Sequence, residues 1–240
     1  MDTTRLARAA TAALLLWGIA AVARAETFDV TRKLPHDSWS EGLDFADDGA
    51  LWSPYPHSIR VLDPGSGAIQ AIYDPPTSYQ ESVTWFQGKL WALSYADNSI
   101  YAGEFGTTGK ILWTLMGATP DVHGWGITHD DHFLIMTGNG KPFLYFMDPA
   151  TMTLVKTVTT PVNDLEDVAW DGKYVWASSY SAYPGTEMRL DPDTGDIVDL
   201  YQLPEPSECM KLDGVAILDG EIYVTGKDCP FIYVANLPAN

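Results

Sequence analysis

Five segments of this sequence lay over one another. They are "SEGLDFADDGALWSP" (40–54), "QESVTWFQGKLWALS" (80–94), "GWGITHDDHFLIMTG" (124–138), "LEDVAWDGKYVWASS" (165–179) and "LDGVAILDGEIYVTG" (212–226). Each has a short apolar run, a polar turn and an apolar-aromatic strand. The second-strand anchors Leu51, Leu90, Leu134, Val175 and Ile222 are spaced by 39, 44, 41 and 47 residues. A third and a fourth strand follow most copies, as in "IRVLDPGSGAIQAIY", "LYFMDPATMTLVKTV" and "MRLDPDTGDIVDLYQL", with a looser copy in "IYAGEFGTTGKILWTL". Aspartate-proline and Thr-Gly supply the turns. Four strands per repeat of ~40–45 residues is the pattern of a propeller blade. The expected fold is therefore all-β: a five-bladed β-propeller with four-stranded antiparallel blades. A two-sheet sandwich leaves the regular spacing unexplained, and no stretch after residue 25 sustains helical periodicity.

Residues 1–25 read as a cleaved signal peptide. Arg5 and Arg8 start it, "AATAALLLWGIAAV" is its apolar stretch, and "ARA" before Glu26 is a small-x-small cleavage site. The apolar stretch is shorter than the ~20 residues of a membrane span. The expected mature chain, residues 26–240, is a single propeller domain, exported to the periplasm or secreted. Removing the leader leaves 11 basic and 31 acidic residues, a net charge of −20. That sign excludes nucleic acid and an anionic membrane surface as partners. An oxidising compartment suits a disulfide between the two cysteines, Cys209 and Cys229.

In a propeller, equivalent positions of the innermost strands form a ring around the channel. Glu41, Glu81, Trp125, Glu166 and Asp213 occupy such positions. Each acid alone could simply cap the edge of a strand, but four near one axis repel and require a counter-charge. Lys227 is the candidate. It follows Gly226 at the end of a hairpin that returns to where Asp213 began. The alternative is a solvated loop lysine. The two cysteines fall at the same end, so a bridge between them would brace the loop carrying Lys227. "DPDTGD" (191–196) lacks the ligand spacing of a calcium loop, and "HDDH" (129–132) reads as a turn. No metal or cofactor is expected.

Several motifs, in order and in register with the blades, make the chain resemble the glutamine cyclotransferases of plant and bacterial type. They are "GWGITHD" (124–130) with "LIMTGNGKPFLYFMDPATM" after it, "NDLE" (163–166), "KLDGVA" (211–216) and "VTGK" (224–227). The resemblance implies conversion of N-terminal glutamine of peptides or proteins to pyroglutamate with release of ammonia, by a metal-free monomer. It implies Glu81 and Lys227 as catalytic residues, Glu81 matching the essential glutamate. It implies substrate-binding roles for Glu41, Trp125, Asn163, Asp213, Tyr180, Tyr95 and Trp39.

Departures from the family pattern gather at this site. Glu41 and Asp213 stand where an amide is usual, Tyr180 and Tyr95 replace tryptophans, and Ser82 replaces a glycine. Two amides turned to acids favour a protonated Glu81. Two other readings remain open at this point. One is a propeller without activity that binds a peptide or envelope partner. The other is a metal-dependent lactonase or hydrolase holding its cation in the acid ring.

Overall fold

The computed structural model describes residues 25–37, 39–179 and 181–239. The proposed leader lies outside the described residues, apart from Ala25. The described chain forms five antiparallel sheets. Blade 1 runs outward through strands Asp44–Phe45, Leu51–Tyr55, Ser58–Leu62 and Ile69–Tyr73. Blade 2 comprises Gln80–Phe86, Lys89–Ser94, Ser99–Phe105 and Ile111–Ala118, and blade 3 comprises Gly124–His129, Leu134–Gly138, Phe143–Asp148 and Thr153–Thr159. Blade 4 holds Leu165–Trp170, Val175–Ser179, Thr186–Leu190 and Ile197–Gln202, with Glu26–Thr27 added in parallel at its outer edge. Blade 5 holds Leu212–Leu218, Glu221–Gly226 and Phe231–Asn236, and the strand Val30–Pro35 completes it. The innermost strands pack side by side around the axis. This is the expected five-bladed β-propeller. Among the described residues the only helical element is a three-residue 3-10 turn, Pro206–Glu208. No helix there is long and apolar enough to cross a membrane.

The turns explain why the repeats fold alike. Gln87-Gly88 and Asp219-Gly220 have positive φ at both residues (53° and 73°, 51° and 80°), the two-residue hairpin geometry whose twist matches the strands. In the aspartate-proline turns the aspartate accepts two backbone N–H bonds. Asp148 takes those of Ala150 and Thr151, and Asp191 those of Asp193 and Thr194. The same bonds hold both carboxyls below their ordinary pKa. "DPDTGD" and "HDDH" are thus turns, Asp130 accepting from His132 and Phe133 in the latter.

Burial follows the ring. Each gap between neighbouring blades holds one apolar cluster, such as Trp176 with Leu212 and Val224 between blades 4 and 5, or Ile135 with Leu165 and Val175 between blades 3 and 4. No single blade has a core of its own, so stability comes from closing the circle. The closing strand was not legible in the repeats.

Candidate active site

At one mouth of the channel the inner strands depart from regular pairing. Register shifts fall between Gln80 and Val83, Gly124 and Ile127, Leu165 and Val168, and Leu212 and Gly214. Each bulge contains the residue singled out by the repeat: Glu81, Trp125, Glu166 or Asp213. A bulge re-aims a side chain that regular pleating would turn into the sheet. In blade 1 the inner strand is only two residues, yet Glu41 N still donates to Pro54 O at 2.9 Å. Two residues before Glu41, Trp125 and Glu166, the non-glycine residues Trp39, His123 and Asp164 adopt positive φ of 85°, 59° and 58°. Such backbone strain gathers at functional sites.

All four carboxylates are buried: Glu41 at 1 %, Glu81 at 4 %, Glu166 at 3 % and Asp213 at 1 % exposure. Lys227 Nζ lies 2.9 Å from Glu41 Oε2 and 3.0 Å from Asp213 Oδ2. Gly226 is required just before it, because a Cβ there would overlap the Lys211 carbonyl. Lys227 N in turn donates to that carbonyl at 3.2 Å. The Cys209–Cys229 disulfide clamps the two chain segments behind Lys211 and Lys227.

One lysine cannot balance four acids, so the cluster holds protons. Burial, then the charge of Glu41, push Glu81 up to about 9, against the pull of Lys227. Burial raises Glu166 to about 8, opposed by Lys227 and aided by Asp164 and Glu41. Asp213 is held well above its ordinary value by burial and then by Glu166. At neutral pH Glu81 is therefore a neutral acid beside an ion pair, able to give a proton and take one back.

Aromatic groups flank this centre. Tyr79 Oη donates to Glu41 Oε1 at 2.9 Å. Its ring lies 5.3 Å from Tyr95, and Tyr95 stacks on His123 at 3.9 Å. Trp39 N donates to Lys227 O at 3.0 Å, and its indole is 55 % exposed beside the mouth. Trp125 is half-buried. Asn163 is exposed on the loop entering blade 4 and makes no polar contact with the carboxyls among the described residues. Tyr180 lies outside the described residues.

Sequence reasoning missed Tyr79, Asp167 and Glu187. Tyr79 stands two residues before Glu81, aligned with Trp39, His123 and Asp164, and that alignment was the available signal. Asp167, fully buried beside Glu166, accepts from Leu43 N (3.0 Å), Val215 N (3.0 Å) and Ser82 Oγ (2.8 Å). One side chain of blade 4 thereby ties blades 1, 2 and 5 across the axis. Burial pushes it up to about 8 although those donors pull downward. Ser82, where the resemblance led to a glycine being expected, supplies one of those donors. Glu187 sits opposite Ser178 in blade 4, fully buried, with neither oxygen hydrogen-bonded among the described residues.

A model of the glutamine cyclotransferase family matches residues 4–237. No curated protein matches the sequence. Among solved structures, the glutaminyl cyclase of Myxococcus xanthus superposes with a TM-score of 0.72 at 19 % identity, over 89 % of this chain and 100 % of that one. Virginiamycin B lyase of Staphylococcus aureus gives a TM-score of 0.52 at 18 % identity, over 82 % of this chain and 66 % of the lyase. At these identities the two structures speak to the fold alone, while the family model spans nearly every residue described above. The chain belongs to the glutamine cyclotransferase family.

Proposed function

We propose that this protein is an exported glutaminyl-peptide cyclotransferase, with Glu81 as the proton shuttle. The observation that carries the reading is the buried Glu81 carboxyl beside the Lys227–Glu41–Asp213 ion pair. In the reaction, the α-amine of an N-terminal glutamine attacks its own side-chain carboxamide carbon. The new C–N bond closes the five-membered ring and the old one breaks as ammonia leaves. One proton must move from the attacking amine to the departing nitrogen. Protonated Glu81 gives its proton to the leaving group, takes the amine's proton in exchange, and ends unchanged. Lys227 fixes Glu41 and Asp213 and limits the negative charge of the pocket. Trp39, Trp125, Tyr95, Tyr180 and Asn163 are proposed to hold the peptide in its cyclising conformation.

The metal-hydrolase reading has less support, because the Lys227 ammonium occupies the space between Glu41 and Asp213 that a cation would take. Export is supported by the Cys209–Cys229 bridge, which suits an oxidising compartment.

Ammonia release from a Gln-initiated peptide, with its N-acetylated form as control, tests the proposal. Glu81→Gln is expected to lower turnover by about 10²–10⁴-fold while leaving peptide affinity unchanged. Glu41→Gln restores the residue usual in the family and is expected to be tolerated. Should the wild-type protein release no ammonia from any Gln-initiated peptide, with Glu41→Gln giving no rescue, the binding-module reading would replace this one.

A further inference from the structure

On the face opposite the acid mouth, the apolar cluster between blades 1 and 2 stops short of the surface. A cavity of about 510 Å³ opens there. Its location follows from the chain path. Asp47 and Asp48 form the turn after the inner strand of blade 1, and Phe105 ends the third strand of blade 2, both at the strand ends remote from Glu41 and Glu81. The space exists because Ala46, Ala50 and Ala71 line it where larger side chains would close it.

The walls are aromatic. Trp52 stacks on Tyr73 at 5.6 Å and on Trp85 at 6.1 Å, and Phe105 stands 6.2 Å from Trp52 and 6.3 Å from Trp85. Phe105 is 48 % exposed, so its ring is open to solvent at the edge of the cleft. The rim is acidic. Trp85 Nε1 donates to Asp47 Oδ2 at 3.2 Å, which holds that carboxylate at the edge of the aromatic wall. A second cavity, of about 270 Å³, shares Asp47 and Trp85 and opens at the far end of the channel.

We propose that this cleft binds an organic ammonium cation bearing alkyl substituents. Aromatic faces attract such a cation through their quadrupoles, and its alkyl groups gain from leaving water. The carboxylates complete the match in charge, in a chain whose net charge is −18. No lysine or arginine lines the cleft among the described residues, so an anion is repelled. The polar groups of the lining residues are the Asp47 and Asp48 carboxylates, the Gln70 amide, the Tyr73 hydroxyl and the indole N–H groups of Trp52 and Trp85. The site is independent of the cyclisation chemistry.

Calorimetric titration of the whole protein with choline and with 3,3-dimethylbutanol, its uncharged carbon analogue, tests the proposal. Choline is expected to saturate one site, and the alcohol to bind about tenfold more weakly or not at all. Asp47→Asn removes charge from an exposed turn without touching the core. Ala71→Phe fills the cleft without changing charge. Each is expected to weaken choline about tenfold or more. Equal affinity for the two ligands, no saturable choline binding, or choline binding unaltered in both variants would overturn the proposal.

Discussion

Glu81 should make folding stability fall as pH rises, and the size of the effect follows from its surroundings. Its carboxyl titrates near 4.5 when unfolded and at about 9 in the folded protein. Between those values the folded state holds one proton that the unfolded state has released. Stability supplied by that proton is complete below about pH 4 and is lost as pH rises toward 9, at about 1.4 kcal/mol per pH unit. Going from pH 5.5 to 7.5 therefore costs the wild-type protein about 3 kcal/mol through Glu81 alone. Glu81→Gln removes this dependence. The amide has the shape and neutrality of the protonated acid, so Glu166, Asp213 and Asp167 experience the same surroundings and their contributions cancel in the comparison. With a urea m-value of about 2–3 kcal/mol per molar, the gap between the wild-type and variant unfolding midpoints should change by about 1 M over those two pH units. Parallel midpoints across the range would mean that folded Glu81 carries no extra proton. The same result would remove it as the acid of the proposed reaction.

Three further outcomes follow from the buried polar groups. Lys227→Met leaves Glu41 and Asp213 buried without their cation, and should cost about 3–5 kcal/mol at pH 8 in urea unfolding. Asp167→Ala strands the N–H groups of Leu43 and Val215 and the Ser82 hydroxyl, and should cost at least about 3 kcal/mol by the same measurement; Asp167→Asn, which keeps one acceptor oxygen, should cost less. Glu187→Met replaces a carboxyl without hydrogen-bond partners among the described residues by an apolar side chain of similar length, and should raise stability by about 1–3 kcal/mol, read as a higher melting temperature.

The architecture was legible because a propeller writes its fold into spacing. Five polar turns recur at blade-length intervals, and the residues at one point of each repeat must meet near the axis. That logic located the carboxyls and Lys227. It could not locate the bulges that aim those carboxyls, since a bulge is one extra residue in a pairing and leaves no mark on composition. Asp167 was hidden for a related reason. It follows Glu166 directly, and only the bulge lets two adjacent acids serve different purposes, one in the mouth and one across the channel. The strand Val30–Pro35 matches no repeat, because it is the displaced fourth strand of a blade whose other three lie at the opposite end of the sequence.

That displaced strand sets an order of events. Val30 pairs with Ala235, so a strand made early waits for one made about 200 residues later. Until residue 235 is available the ring is a spiral with two raw edges, one on blade 5 and one on the free N-terminal segment. Such a long-range closure is slow to form. A chain still being synthesised would be unable to lock prematurely, and one lacking either seam strand could build most of its blades and still never shut. The seam between Val30–Pro35 and Phe231–Asn236 is thus the place where the loss of one strand would leave the whole ring open.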